Sequence, residues 1–245
     1  RGLAPLYESI MKAFLLLISV LMIACSEPTQ PSTQTTKSTT AVIQKDTIQA
    51  KSAAEEAATF TKTLTTDTAI PFLYEYEKQH KERYVRIITD YGNIDIELFN
   101  ETPYHRANFI FLTKQKYFDG TVFHRVVKNF VIQGGNSESW DISRRRAAIG
   151  AYLLPPDTKK GFRHHRGTVS MPSSDIDNPH QFASPYEFFI VVQKPGAYHL
   201  DGKYTAFGRV IAGMEVADKI NQVETEGRDD WPKKDIKMKV IILNK

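Results

Sequence analysis

Alternation of apolar and polar residues predicts a β-hairpin near residue 84. Residues 84–89 are rich in β-branched and aromatic side chains, residues 90–93 have the composition of a turn, and apolar residues alternate with acidic ones over 94–98. A period of two is typical of a strand with one buried face. We therefore expect two antiparallel strands joined by a tight turn, with the acidic face in solvent.

Apolar residues at helical spacing follow this hairpin and recur near the end of the chain. Thr102 and Pro103 supply a helix cap and a proline at the first helical position, and the periodicity continues to Tyr117. A second helix is expected over 216–223, after Gly213. Further β-rich runs lie at 122–127, 130–133, 168–171, 188–192, 206–210 and 236–243. Many strands with two helices, and no strand–helix alternation, favour an antiparallel barrel over a doubly wound sheet.

The beginning of the chain has the pattern of a targeting segment. An apolar run over 13–24 follows Met11; it has the length of a signal-peptide core and is too short to span a bilayer comfortably. It ends at Cys25 in a tetrapeptide that resembles the cleavage site of bacterial lipoproteins. We predict a lipoprotein-type signal peptide at 11–24, a lipid anchor on Cys25 and a place in the bacterial cell envelope, facing the periplasm or the cell surface. A secreted protein and an uncleaved anchor are the alternatives.

Residues 25–82 are predicted to form a flexible tether and an N-terminal extension. As far as residue 68 this segment is rich in Thr, Ser, Ala and Lys and poor in large apolar side chains. Such a composition cannot bury enough surface to offset the entropy of ordering. Residues 50–63 could form a short helix, and 71–81 could pack as an N-terminal helix on the domain that occupies 83–245.

Charge and cysteine content argue against nucleic-acid binding and exclude the sites that need more than one cysteine. The 245 residues include 32 basic and 28 acidic side chains, a formal charge of +4, without a long basic block, so nucleic acid is not an expected partner. Cys25 is the only cysteine, which excludes an intramolecular disulfide and a thiolate metal cluster. His164 and His165 are neighbours without a supporting carboxylate spacing, so neither a metal nor another cofactor is expected.

One segment carries a specific motif. Within residues 123–136, Arg125 is followed by Phe130, by Gln133 and by two adjacent glycines. This spacing resembles the core signature of the cyclophilin family. Blocks in the family's order lie at 85–98, 118–121, 167–171, 187–190, 200–203 and 207–210, so the resemblance covers nearly all of 83–245. It implies a mainly β fold, a closed eight-stranded antiparallel β-barrel capped by two α-helices, with a shallow groove for an extended, proline-containing segment.

The resemblance also implies a set of site residues. Arg125, Phe130 and Gln133 take the catalytic positions, and the substrate-binding positions are Val131, Pro172, Ser173, Glu187, Phe189, His199, Leu200 and Tyr204. Pro172 and Ser173 replace an alanine and an asparagine of the family pattern, and Tyr204 replaces a histidine. Glu187 replaces a glutamine, so its charge could favour basic targets or weaken binding. His199 replaces a tryptophan that contacts cyclosporin in eukaryotic members, which predicts reduced cyclosporin sensitivity.

The chemistry of prolyl isomerisation suits these residue types. Rotation about an X–Pro amide needs neither a nucleophile nor a metal, and its barrier of about 18–20 kcal/mol is the loss of amide resonance. The twisted proline nitrogen regains a lone pair, to which Arg125 can donate more strongly than to the planar ground state. Apolar residues would grip the pyrrolidine ring: Phe130, Val131, Phe189 and Leu200. Gln133 would hold the substrate backbone or orient the guanidinium.

Each of these residues has a plainer structural interpretation. Apart from the motif, Arg125 would be taken for a surface ion-pairing residue, and Phe130 and Phe189 for core aromatics. The two glycines after Gln133 would be taken for a turn. His124 is expected to be a partly buried structural residue, because the reaction has no proton to remove.

Three functions from different classes follow from these patterns. The favoured one is a peptidyl-prolyl cis/trans isomerase that acts on proline-containing polypeptides during the folding of exported proteins, as a monomeric domain held at the membrane by lipid. The second is a non-catalytic proline-peptide binding module or chaperone. The third is a structural lipoprotein that uses the basic loop around Arg145 as a platform. That loop, 137–166, is longer than in minimal members, and a solvated charged loop is its plain interpretation.

Overall fold

The computed structural model describes residues 62–173 and 178–244. The predicted signal peptide at 11–24, Cys25 and most of the predicted tether lie outside the described residues, so those interpretations stay predictions. Within the two described ranges, no helix combines the length and the apolar character needed to cross a bilayer.

An antiparallel sheet of eight strands forms the body of the described domain. The strands are β1 (Tyr84–Thr89), β2 (Gly92–Leu98), β3 (Val122–Val127), β4 (Val131–Asn136), β5 (Thr168–Ser170), β6 (Phe188–Val191), β7 (Ala206–Ala212) and β8 (Lys239–Ile242). Their order across the sheet is β8-β1-β2-β7-β5-β6-β4-β3, and every neighbouring pair is antiparallel. The prediction of a mainly β, antiparallel fold is confirmed.

The sheet is curled, so that its two edge strands, β3 and β8, approach each other at one end. Val122 forms an antiparallel bridge with Lys237, which lies just before β8. Next to this bridge the Phe123 N–H donates to the Ile236 carbonyl at 3.0 Å, and the Met238 N–H donates to the carbonyl of residue 121 at 2.8 Å. In the described residues β3 and β8 share no ladder of their own, so the predicted closed barrel is not confirmed.

The predicted hairpin of β1 and β2 is confirmed, but its acidic face is not in open solvent. Asp95 and Glu97 are only 6% and 9% exposed. Arg86 donates to both carboxylate oxygens of Asp95, at 2.6 and 2.9 Å, and Arg209 donates to Glu97 at 2.8 Å. Arginine side chains from neighbouring strands therefore cover the face that the alternation assigned to water.

The described residues contain four α-helices, of which only α3 had no counterpart in the predictions: α1 (Thr66–Gln79), α2 (Pro103–Lys114), α3 (Trp140–Ile149) and α4 (Met214–Asn221). The predicted helix after Thr102 begins at Pro103, and the predicted helix after Gly213 begins at the next residue. Helix α3 occupies part of the segment 137–166 that was expected to be a loop.

Helix α1 is tied to the domain by a short parallel strand pair. Leu64–Thr65 pairs with Gly150–Ala151, and Leu64 and Leu73 are fully buried. The helix begins earlier than the predicted 71–81. Gly150 has a φ of 134°, and a Cβ there would lie 2.0 Å from the Leu64 carbonyl oxygen, so only glycine fits at this crossing.

Buried apolar side chains form two clusters. The larger one joins the sheet with residues of all four helices. The smaller one contains Val131, Phe189, Val191, Ala197 and Leu200, with Val127, Phe130 and Tyr204 packed against it. This smaller cluster, called the apolar slot below, brings together the predicted site residues Phe130, Val131, Phe189, Leu200 and Tyr204.

Candidate active site

Three predicted site residues lie side by side across neighbouring strands. Arg125 of β3 is paired with Gln133 of β4, and Gln133 is paired with Phe189 of β6. Directly opposite residues of a sheet project from the same face. The strand register therefore places a guanidinium, an amide and an aromatic ring in one row.

The apolar slot lies at one end of this row. Phe189 forms its buried floor, and the Tyr204 ring meets the Phe189 ring edge-on at a centroid distance of 5.7 Å. Phe130 and His199 stack at 5.3 Å on the rim. Partly exposed aromatic rings over a buried apolar floor suit a small aliphatic ring such as pyrrolidine.

Arg125 keeps its guanidinium accessible beside the slot. Its side chain is 40% exposed, and one terminal nitrogen lies 3.9 Å from the Oδ2 atom of Asp230. Asp230 directly precedes the short strand Trp231–Pro232. An ion pair of this length and exposure is weak, so Arg125 has donors to offer to a ligand.

Glu187 does not present a free charge to the groove. Its Oε2 atom accepts a hydrogen bond from Gln133 Nε2 at 2.9 Å and lies 3.5 Å from His124 Nε2, while its Oε1 atom lies 3.4 Å from Asn136 Nδ2. The side chain is 17% exposed. Burial acts to raise the pKa of Glu187, but the hydrogen bonds from His124 and Gln133 and the charges of His124 and Arg146 lower that pKa overall.

His124 has the structural position that its sequence context suggested. It is buried, its ring lies 5.8 Å from that of Trp231, and its Nε2 atom lies 3.4 Å from Gln133 Nε2. At these distances His124 forms a cluster of polar side chains with Gln133 and Glu187, next to the row of Arg125, Gln133 and Phe189.

A short 3₁₀-helix positions the other side of the slot. Tyr198–Leu200 places His199 and Leu200, and the Tyr204 N–H donates to the Leu200 carbonyl at 3.2 Å. Asp201 ends this turn and accepts hydrogen bonds from the backbone N–H and the Nδ1 atom of His164, at 2.8 and 2.9 Å.

His164 supports the slot from behind, a role that the sequence did not suggest. It is fully buried, its ring is stacked 6.1 Å from that of Phe189, and its Nε2 atom lies 2.9 Å from Ser170 Oγ. Burial lowers the pKa of His164, and Asp201 offsets this only in part. A neutral ring that donates through Nδ1 and accepts from Ser170 satisfies both contacts.

Pro172 and Ser173 follow strand β5 and contact the chain near residue 183. The Pro172 carbonyl accepts from the Ser184 N–H at 2.8 Å, and Ser173 forms an isolated bridge with Ala183. Their predicted contact with substrate stays a prediction.

The arginines of α3 are largely engaged with the protein itself. Arg144 pairs with Asp141 at 2.8 Å, Arg145 donates to the Asp119 carbonyl at 2.7 Å, and Arg146 lies 4.7 Å above the ring of Tyr186. Among the described residues, no group of three or more histidine, cysteine or acidic residues is arranged to hold a metal ion.

Comparison with known proteins points to one family. Residues 84–242 match the family model of cyclophilin type peptidyl-prolyl cis-trans isomerases. A peptidyl-prolyl cis-trans isomerase of Acinetobacter baylyi is 37% identical over 145 residues, which are 58% of this chain and 73% of that protein. An isomerase of Arabidopsis thaliana, CYP18-1, is 34% identical over 162 residues, which are 65% of this chain and 95% of that protein.

A longer relative and a solved structure agree with this match. The peptidyl-prolyl cis-trans isomerase-like 2 protein of Rhizopus delemar is 36% identical over 170 residues, which are 69% of this chain and only 30% of that protein. The crystal structure of a cyclophilin type isomerase from Cryptosporidium parvum superposes with a TM-score of 0.56 at 27% identity, over 67% of this chain and 99% of that one. The same Cryptosporidium protein was also solved in the presence of the dipeptide Ala-Pro, and that structure gives a TM-score of 0.55.

Proposed function

Because this chain belongs to the cyclophilin family of peptidyl-prolyl cis-trans isomerases, we propose that its isomerase activity works through Arg125, which stabilises the X–Pro amide as it twists. The observation that carries this proposal is the row of Arg125, Gln133 and Phe189 across three strands. The row provides a cation and an apolar ring site on one face, and the reaction requires both.

Arg125 acts by preferring the twisted amide to the planar one. Resonance sets a barrier of about 18–20 kcal/mol, and each reduction of about 1.4 kcal/mol speeds the rotation roughly tenfold. A planar amide nitrogen has no lone pair to share, whereas the twisted nitrogen accepts a hydrogen bond from the guanidinium. The bound peptide excludes water from this contact, which strengthens it.

The apolar slot holds the proline ring while the acyl part turns. Phe189 and Leu200 form the buried floor, and Phe130 and Tyr204 form partly exposed walls. Contact on several sides fixes the ring against the protein. Rotation then occurs at the amide bond, with the carbonyl group moving through the open part of the groove.

The proposed substrates are proline-containing segments of exported polypeptides during folding. Uncatalysed isomerisation takes about 10–100 s, long enough to delay folding. The proposed location is the bacterial cell envelope, where the domain acts as a monomer on a lipid anchor at Cys25. The support for this location is the apolar run at 13–24 that ends at Cys25.

A non-catalytic proline-peptide binding module is the second candidate. The approach of Asp230 to Arg125, at 3.9 Å, favours it, because a carboxylate that occupies the guanidinium competes with the substrate. The exposure of the pair makes this competition weak in water, so we rank the module below the enzyme.

Binding and catalysis can be separated in one sample. A short Ala-Pro peptide is titrated with the soluble domain, its NMR shifts report binding, and its cis–trans exchange cross-peaks report the isomerisation rate. We expect saturable binding together with a clear acceleration. A peptide with alanine in place of proline is the control for binding that does not depend on the ring. Saturable binding by folded protein without acceleration would select the binding module.

A further inference from the structure

We infer that Glu187 is a positioning residue of this isomerase, whose carboxylate fixes the side-chain amide of Gln133 so that the Gln133 carbonyl oxygen faces the groove beside Arg125. The inference rests on the proposed function of Arg125. It assigns to Glu187 a role behind the row rather than a contact with the substrate.

The position of the carboxylate is set from three sides. Gln133 Nε2 donates to its Oε2 atom at 2.9 Å, His124 Nε2 lies 3.5 Å from the same oxygen, and Asn136 Nδ2 lies 3.4 Å from Oε1. The orientation of the Asn136 amide is fixed independently, because its Oδ1 atom accepts from the Ser137 N–H at 2.9 Å. Two amides therefore direct their NH₂ groups at the same carboxylate.

A carboxylate accepts hydrogen bonds and cannot donate them, which decides the orientation of Gln133. Only the NH₂ end of the Gln133 amide can pair with an ionised Glu187. The nitrogen and the oxygen of an amide lie on opposite sides of its carbon, so the oxygen is turned away from Glu187. A glutamine at position 187 would carry both a donor and an acceptor and would accept either orientation of Gln133.

The strand register places the Gln133 side-chain oxygen where it can contact Arg125 or the substrate. Arg125 is the direct cross-strand partner of Gln133, so both side chains project from one face. The Gln133 oxygen can accept from the guanidinium, or from a backbone N–H of the bound peptide. Either contact orients the groups that meet the twisting amide.

The charge that this arrangement needs is present at neutral pH. Several groups surround the Glu187 carboxylate: His124 on β3, Gln133 and Asn136 on β4, Arg146 on α3 and the hydroxyl of Tyr117. Burial acts to raise the pKa of Glu187, and the contacts with His124 and Gln133 lower it overall. A lowered pKa means that the carboxylate, and with it the orientation of Gln133, is kept from neutral into mildly acidic pH and is lost only as pH falls through that pKa.

A double-mutant cycle tests whether Glu187 acts through Gln133. The variants are Glu187→Gln, Gln133→Ala and the two combined, and the readout is kcat/KM for cis-to-trans conversion of an Ala-Pro peptide at pH 7. We expect Glu187→Gln to lower kcat/KM roughly three- to tenfold, the range of one well-placed hydrogen bond. We expect no further loss from Glu187→Gln when Gln133 is already alanine.

Glu75→Gln is the matched control, because it is the same substitution on the exposed face of α1, where Glu75 pairs with Lys78. It should leave kcat/KM unchanged. An equal loss from Glu187→Gln with and without Gln133 would overturn the inference, as would no loss at all. These outcomes leave the proposed function intact, since that function fails if the unmodified protein does not accelerate isomerisation or if Arg125→Ala accelerates it equally well.

The NMR signals of the Gln133 side chain give a second readout that a merely structural role would not change. We expect one NH₂ proton of Gln133 to be shifted downfield by the carboxylate in the unmodified protein, and this shift to be lost in Glu187→Gln. A Gln133 signal that is the same in both folded proteins would contradict the inference even if kcat/KM changed.

Discussion

A buried histidine outside the active site links the stability of the domain to pH. His105 in α2 is 1% exposed, neither of its ring nitrogens has a hydrogen-bond partner within the described part of the chain, and burial lowers its pKa to about 4. The folded protein therefore keeps this ring neutral below the pH at which the unfolded chain binds a proton. Since the unfolded state then binds more protons, the free energy of unfolding falls as pH falls.

The expected loss from His105 is about 3 kcal/mol between pH 6.5 and pH 4. His105→Leu removes the titrating group and should flatten this part of the curve, measured by urea unfolding at several pH values. His180→Leu is the same substitution at an exposed histidine and should not change the slope. An unchanged slope in His105→Leu would show that another group causes the pH dependence.

His199 determines the expected response to cyclosporin. It stacks on Phe130 at 5.3 Å on the rim of the apolar slot, at the position to which the family resemblance assigns a cyclosporin-contacting tryptophan. We expect only weak inhibition of the unmodified protein and a gain of about tenfold or more in His199→Trp, since a buried tryptophan contact is often a binding hot spot. The measurement is the isomerisation rate against drug concentration. Nanomolar inhibition of the unmodified protein would refute this expectation.

Among the secondary-structure elements, the strand Leu64–Thr65, which precedes α1, crosses the backbone at Gly150. The attachment of the N-terminal helix therefore depends on a glycine at this position. An alanine at 150 needs a positive φ and places its Cβ against the Leu64 carbonyl. We expect Gly150→Ala to lower the free energy of unfolding by about 2 kcal/mol or more, measured by thermal or urea unfolding.

Gly161 offers a matched control for that substitution. Its φ is also positive, at 79°, but a Cβ there meets nothing within 4 Å. Gly161→Ala should therefore cost only the strain of the left-handed backbone, about 1 kcal/mol. Equal losses at the two positions would mean that the close approach to Leu64 is not what destabilises Gly150→Ala.

The strands were predictable where one local pattern determines them. The run 122–127 coincides with β3, and 188–192 contains β6, because short β-branched and aromatic runs bounded by turns favour strands. The glycines after Gln133 lie inside β4 rather than in a turn. Gly135 has a φ of 103°, and a Cβ there would collide with the Tyr186 carbonyl oxygen, so the backbone approach requires this glycine, and sequence alone does not reveal that approach.

Helix α3 and Phe130 show where local patterns fail. Helix α3 is rich in arginine and has little apolar periodicity, so its helical state depends on contacts such as the one between Arg145 and the Asp119 carbonyl. Phe130 was placed in a strand that began at 130, but it lies in the turn before β4, where Asn129 has a φ of 58°. The turn moves the Phe130 ring to the rim of the slot.

Across the molecule as a whole, the sequence motif identifies the site residues, and the fold brings together the residues that support them. Arg125, Gln133 and Phe189 could be named from the sequence because they belong to recognisable blocks. The contacts behind them could not, because Gln133 and Glu187 are 54 residues apart and His164 and Asp201 are 37 residues apart. Only the strand register and the 3₁₀ turn bring these partners together.

The proposed envelope location depends on Cys25 and can be tested on a protein that retains residues 11–82. If its thiol carries lipid, Cys25→Ser should move the protein from the membrane fraction to the soluble fraction of bacterial cells, since lipid burial provides the anchoring free energy. A Ser52→Ala variant, which leaves Cys25 in place, should remain with the membranes. Retention of Cys25→Ser in the membrane fraction would count against lipidation at this residue.

Stabilisation of the twisted amide by Arg125 is tested by measuring kcat/KM for an Ala-Pro peptide with the unmodified protein, Arg125→Ala and Arg144→Ala. Arg144 is an exposed arginine on α3 that pairs with Asp141, so its removal controls for loss of positive charge. We expect Arg125→Ala to lower kcat/KM about 100-fold, as the loss of one donor to a transition state does, and Arg144→Ala to leave it unchanged. A folded Arg125→Ala protein with undiminished kcat/KM would contradict the claim.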